Sequence, residues 1–334
     1  MIPADYAAAR ERAGLVDRSD RGRIVVAGND RRSYLQGLLT NDVAALTPGE
    51  GCYAAYLTAQ GRMIADLWVY ELGDVLLLTL ERDLKDTVLA KLDQFIFSED
   101  VQLGDVTLNF NSVAVVGPLA ARTAASVIDN GDERALAALP EHGNLRTTYR
   151  GHPLIVLRVS DVGLPGYELL VEPAHMAPFL DALRARGAVD LAPSTADTLR
   201  IESGIPRFHR DMDEETIPLE AGIEDRAISL TKGCYVGQEV IIRVLHRGHG
   251  RVVRKLVGLK LTGGAVPSSG AAIVSEGREV GHVTSSTWSP SLERPIALGY
   301  VHRDFLAPGT IVAVDGAAAE VSALPLVPSA AAQK

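Results

Sequence analysis

A thiol framed by glycines is the feature of this sequence best suited to chemistry: Lys232-Gly233-Cys234-Tyr235-Val236-Gly237-Gln238-Glu239. Glycine on both sides lets the backbone turn sharply, so the stretch should display Cys234 instead of packing it. Lys232 stands two residues away, and Gln238 to Leu245 reads as a short helix stopped by Gly248. A neighbouring cation and a helix N-terminus both favour thiolate over thiol, so the expectation is a lowered thiol pKa and a reactive Cys234. A lone thiol is more often inert core, but Gly-Cys-Tyr between glycines is poor core material. The other cysteine, Cys52, lies in the apolar run Cys52-Tyr53-Ala54-Ala55-Tyr56 and reads as a small hydrophobe.

Two further stretches carry polar groups at element ends. Gly163-Leu164-Pro165-Gly166-Tyr167-Glu168 puts a carboxylate directly after a tight turn, at a strand start. From there Glu168 offers two acceptor oxygens to the adjacent N–H donors of a heterocycle edge. Leu199-Arg200-Ile201-Glu202-Ser203-Gly204 reads as a helix ending at Gly204. Arg200 and Glu202 are two apart on it and do not face one another, so each needs its own partner. Arg243, His246, Arg247, His249, Arg251, Arg254 and Lys255 crowd together in a stretch, Glu239 to Glu276, with no acidic residue between its ends. This basic island could dock an anionic tail or an acidic partner, or be a solvated face. His246 and His249 with Cys234 lack a fourth ligand, so no metal site is expected.

These residues need elements to hold them. Ile24-Val25-Val26 reads as a strand, followed by a helix carrying Tyr34, Leu35, Leu38 and Leu39 with Asp30 placed to cap it. Cys52 to Leu57, Met63 to Tyr70 and Val75 to Leu80 read as an antiparallel meander, turning at Gln60-Gly61 and Gly73-Asp74. Leu84, Val88, Leu92 and Phe95 recur at helical spacing and lay a helix across it. Gly131 to Gly151 reads as a connection between subdomains. Strands follow at Leu154 to Val159 and Tyr167 to Val171, then an apolar helical stripe at Met176, Phe179, Leu180 and Leu183. From about Val252 onward, short β-rich runs broken by glycine and proline read as a small β-barrel or sandwich.

The whole-chain numbers agree with a folded, water-soluble protein. With 47% hydrophobic and 22% charged residues, wholesale disorder is excluded. A net charge of −9 repels polyanions, so direct nucleic-acid binding is not expected. No apolar run suggests a membrane span and no basic leader precedes one, so the expected location is the cytoplasm. Two distant cysteines support neither a disulfide scaffold nor a cluster held by this chain's own thiols.

Taken together, the motifs resemble the YgfZ-type branch of the glycine-cleavage T-protein superfamily, folate-binding proteins that include iron-sulfur assembly factors. Lys-Gly-Cys-Tyr-x-Gly-Gln-Glu at 232 to 239 is the most specific part. Leu35-Gln36-Gly37 with Thr40-Asn41-Asp42-Val43, Gly61-Arg62, and Leu199-Arg200-x-Glu202-x-Gly204-x-Pro206 support it. The resemblance implies an α+β cloverleaf of three domains around a tetrahydrofolate site, with antiparallel sheets, helices and a C-terminal β-barrel-like domain. It implies two interleaved subdomains over 1–250, the second at roughly 46–140, the barrel at 251–327 and a flexible tail at 328–334. By position it places Glu168 on the pterin, with Arg200, Tyr167 and Gly166 in the same pocket, and no stably bound metal. Aminomethyltransferases of the superfamily carry paired aspartates where this chain has Ala65-Asp66, and usually lack a cysteine matching Cys234. The expectation is therefore an accessory protein for iron-sulfur cluster assembly or repair, with Cys234 and Lys232 at the chemistry. Its partners would be folate and iron-sulfur clients, a tRNA-methylthiolating enzyme being one example. The alternative is a folate-dependent aminomethyltransferase or demethylase in which Asp66 steers the amine.

Overall fold

The computed structural model describes residues 2–247, 251–263 and 265–328. Seventeen strands are present among them. The chain runs through β1 (Gly14–Asp17), β2 (Arg21–Ala27), β3 (Gly51–Leu57), β4 (Met63–Glu71), β5 (Leu76–Glu81) and β6 (Gln102–Asp105). It continues through β7 (Asn111–Val116), β8 (Asn144–Tyr149), β9 (His152–Val159), β10 (Gly166–Val171) and β11 (Val189–Asp190). The last six are β12 (Arg254–Leu261), β13 (Ala272–Ser275), β14 (Arg278–Ser289), β15 (Arg294–His302), β16 (Ile311–Val314) and β17 (Ala317–Ser322).

They form a five-stranded sheet ordered β3-β4-β5-β2-β6, a six-stranded sheet ordered β11-β1-β7-β10-β9-β8, and a closed barrel of β12 to β17. The two open sheets lie face to face, and strand alternation explains why. Along β5, Leu76, Leu78 and Leu80 join the core under the helices Arg31–Gln36 and Lys85–Asp93, while Leu77 points into the layer between the sheets. Along β10, Tyr167, Leu169 and Val171 join the outer core that includes Phe179 and Leu183 of the helix Met176–Ala185, while Leu170 points inward. The result is helix, sheet, sheet, helix, with an apolar layer of Tyr70, Leu77, Val116, Leu157 and Leu170 between the sheets.

The barrel docks through the helix Pro193–Glu202, which rests on β14 and β15. Its Ile201 joins Leu256, Ile296, Leu298 and Tyr300 in one small core. The α+β fold with a C-terminal barrel is thus the one expected. Two local readings change. Residues 131–151 are not a bare connection, because they contain the helix Glu133–Ala138, with Leu136 buried in the outer core, and all of β8. Asp30 precedes its helix without capping it, and its carboxylate instead accepts the Asp100 N–H at 2.9 Å. Within the first 250 residues the sheets draw boundaries other than 46–140: β2 to β6 occupy 21–105, and β7 already belongs to the second sheet. The expected tail beyond residue 328 lies outside the described residues.

Candidate active site between the sheets

At one end of the layer between the sheets, and bounded by the segment entering the barrel, lies a cavity of about 500 Å³. That is within the ~300–1,000 Å³ typical of small-molecule sites. Its wall begins on β4, where alternation puts Asp66 and Trp68 on the cavity side. Tyr53 of β3 stands directly across from Trp68, with ring centroids 5.1 Å apart. The Tyr53 hydroxyl donates to Asp66 Oδ2 at 2.8 Å. Asp66 is only 5% exposed. Burial raises its carboxyl pKa, and the Tyr53 hydrogen bond and Arg21 offset this only in part.

Around this aromatic and acidic wall runs a lattice of guanidinium groups. Arg21 lies 4.8 Å above the Trp68 ring and pairs with Glu81 at 3.3 Å and Asp161 at 3.2 Å. Arg18 also pairs with Asp161. Burial alone would raise the Asp161 pKa, but the two guanidinium groups hold it below the usual carboxylate range. Arg207 grips both oxygens of Glu81, at 3.0 and 2.9 Å. Arg210 and Arg226 line the cavity without a carboxylate partner among the described residues, Arg226 lying 5.4 Å from the centre of the Tyr53 ring. His142 enters from the loop before β8. Its Nδ1 is buried with no hydrogen-bond partner among the described residues, and burial lowers its pKa, which keeps the ring neutral at pH 7.

Of the seven residues singled out from sequence, the cavity brings together two, Asp66 and Arg200. Arg200 is committed to Asp197, Asp211, Ser285 and the Ile205 carbonyl, so it shapes the wall instead of offering a free charge. Glu168 does point between the sheets, but outside this cavity, where it accepts from Ser112 Oγ at 2.8 Å and faces Arg23 at 3.3 Å. Both contacts fall on Oε1. Tyr167 points to the opposite face of β10 and donates to the Leu136 carbonyl at 2.8 Å, inside the outer core. Gly166 serves strand packing, since a Cβ there would meet Val116 Cγ1 at 2.9 Å. The nearby carboxylate that does reach the cavity is Asp161, just before that motif and seven residues before Glu168.

Cys234 is exposed, as its glycines suggested, but it does not line the cavity. Lys232 does not serve the thiol. Its Nζ donates to the carbonyls of Gln36 and Leu39 at 2.6 Å and of Asn41 at 3.0 Å, closing the end of the helix Arg31–Gln36, and burial pushes its pKa down to about 8. The second glycine of the motif has a packing role. Gly237 has φ +84°, and a Cβ on it would sit 2.5 Å from the Thr58 carbonyl. Gly61, across the contact, has φ +75° and would meet Val240 Cβ at 2.9 Å. Two sequence motifs therefore owe their glycines to one close backbone approach.

Residues 1–232 match the model described as the GCVT N-terminal domain, and residues 254–328 match the glycine cleavage T-protein C-terminal barrel domain. The chain belongs to the glycine cleavage T-protein family. It is 34% identical over 300 residues to the aminomethyltransferase of Rubrobacter xylanophilus, covering 90% of this chain and 79% of that one. It is 33% identical to the aminomethyltransferase of Streptomyces coelicolor, covering 92% of this chain and 82% of that one. The crystal structure of glycine cleavage system aminomethyltransferase T from Bartonella henselae superposes with a TM-score of 0.87 at 23% identity, covering 97% of this chain and 89% of that one. That likeness establishes the shared fold.

These relationships overturn the expected role in iron-sulfur assembly, because relatives matched over most of the chain are named aminomethyltransferases. The two residue differences that favoured the other branch also have structural readings. Position 65 lies on the core face of β4, where Ala65 is fully buried, so a second carboxylate there would not face the cavity that Asp66 faces. The Cys234 motif stands outside the cavity. Among the described residues, no helix is long and apolar enough to cross a membrane.

Proposed function

We propose that this protein is a folate-dependent aminomethyl transferase whose reaction takes place in the cavity between the sheets. The observation that carries the reading is Asp66: a buried carboxylate, raised in pKa, facing a cavity walled by Trp68 and Tyr53. The donor set fits a reduced folate. Trp68 and Tyr53 offer a flat apolar wall for a fused heterocycle, and the orphaned His142 Nδ1 awaits a polar partner. Arg210 and Arg226 supply positive charge for a carboxylate tail. Tetrahydrofolate, when bound, supplies the nitrogen that accepts the one-carbon unit.

The remaining work falls to this chain. Asp66 binds the amine of the aminomethyl donor and exchanges a proton with it at Oδ1, while Tyr53 holds Oδ2. The ion-pair lattice of Arg18, Arg21, Asp161, Glu81 and Arg207 fixes the wall, so that little reorganisation is needed when charge moves. Trp68 and its neighbours exclude water from the reacting carbon.

The test is ammonia release from an aminomethyl donor by the protein saturated with tetrahydrofolate, compared with Asp66→Asn. Turnover by the natural chain that falls in the variant supports the reading. A flat assay with demonstrably folate-loaded protein sinks it.

A further inference from the structure

We infer that His152, Glu172 and His175 form a binding site for a divalent transition-metal ion on the outer end of the six-stranded sheet, apart from the cavity. The three donors come together through the sheet's register. β8 and β9 are joined by a turn at Arg150 and Gly151, both with positive φ (51° and 81°), which delivers His152 as the first residue of β9. β9 pairs with β10 so that Leu154 faces Val171, and Glu172 is the next residue along. Pro173 then forces a short 3₁₀ turn, Pro173–His175, closed by the His175 N–H donating to the Glu172 carbonyl at 2.9 Å. That turn brings His175 back over His152.

The two imidazoles stack with centroids 3.7 Å apart and planes inclined by 23°. His175 Nε2 lies 3.7 Å from Glu172 Oε2, and one ligand atom from each of the three residues lies within 4.8 Å of the others. Tetrahedral donors at about 2.0–2.1 Å from an ion stand about 3.4 Å apart, so binding would draw the three atoms together by up to about 1.4 Å and turn the two rings out of their stack until both point at the ion. Two imidazoles and one carboxylate select a zinc-class ion over magnesium or calcium, which prefer all-oxygen sites. Three protein donors leave at least one coordination position for water or a ligand. The site would also cross-link the β8–β9 turn to the start of the helix Met176–Ala185, which begins at the residue after His175.

The experiment is calorimetric titration of the full chain with zinc chloride, in a Cys234→Ser background so that the exposed thiol is not counted. One equivalent should bind, and His152→Ala and His175→Ala should each weaken binding at least tenfold while leaving the circular dichroism spectrum unchanged. Cobalt loading provides a second readout: visible d–d bands without a thiolate charge-transfer band, lost in both variants. Absence of binding, or binding that persists unchanged in both variants, would overturn the site and leave a histidine stack with a surface ion pair.

Discussion

Asp66 concentrates the site's chemistry in one residue, and its burial gives its removal two opposite effects. Loss of a positioned acid-base group lowers turnover by about 10²–10⁴-fold, so Asp66→Asn is expected to fall in that range in a kcat measurement. Stability should move the other way. The folded pKa of Asp66 lies above its unfolded value, so folding is disfavoured progressively as pH rises through that interval, and the full penalty is present above it. Asp66→Asn should therefore melt higher than the natural chain at neutral pH, with the gap closing in acid. A pH series of melting temperatures in which the variant melts lower at pH 7 would contradict this. Cys234→Ser, by contrast, is expected to leave aminomethyl transfer within twofold of normal, because the thiol is exposed and outside the cavity. At this scale the sequence was half legible. Asp66 and Arg200 stood in readable motifs, and Trp68 was readable only as part of a strand. Asp161 and His142 reach the cavity from loops whose neighbours are distant in sequence, and no spacing announces that. The preceding turn alone could not tell what Glu168 meets: it faces the layer between the sheets, where Arg23 and Ser112, brought by other strands, contact it outside the cavity lining.

Secondary elements were more legible, since alternation in β3 to β5 and helical spacing in Lys85–Asp93 depend on local sequence alone. What the periodicity could not convey is how two sheets divide one stretch of chain, because that depends on pairing of β1 with β7 and β11, strands far away in the sequence. The turn that carries Asp161 into the cavity is the most exacting local element. Gly163 there has φ +77°, and a Cβ on it would lie 1.7 Å from Ser203 Oγ and 2.2 Å from Ser203 Cβ. Gly163→Ala is expected to lose about 1–3 kcal/mol in urea denaturation through backbone strain alone, with further loss from the clash. Because the displaced turn holds Asp161 against Arg18 and Arg21, folate affinity should fall with it. Retention of both normal stability and normal affinity would show the turn to be more compliant than its geometry implies.

For the molecule as a whole, the joint between barrel and sheets is polar as well as apolar. Glu202, fully buried at the end of the helix Pro193–Glu202, accepts from the Tyr6 hydroxyl at 2.7 Å, from Arg10 and from Ser289 Oγ of β14. One carboxylate thus ties the N-terminal helix Ala4–Glu11, the Pro193–Glu202 helix and the barrel. Glu202→Ala strands these donors and should cost about 3–5 kcal/mol, the usual penalty for breaking a buried charged pair. Calorimetry should then resolve the barrel as a separate transition, whereas a single cooperative peak would place the joint's strength in Ile201 and its apolar neighbours. The parallel pairing of β1 with β11 also bears on how the protein is born. The strands β2 to β6 all lie between residues 21 and 105 and can assemble soon after they leave the ribosome, but Gly14 of β1 must wait for Val189. At about 5–20 residues per second, that wait is on the order of ten to forty seconds. Until β7 is made both edges of this apolar strand are unpaired, and from then until Val189 appears one still is, which makes this segment the one most open to wrong strand pairing during synthesis.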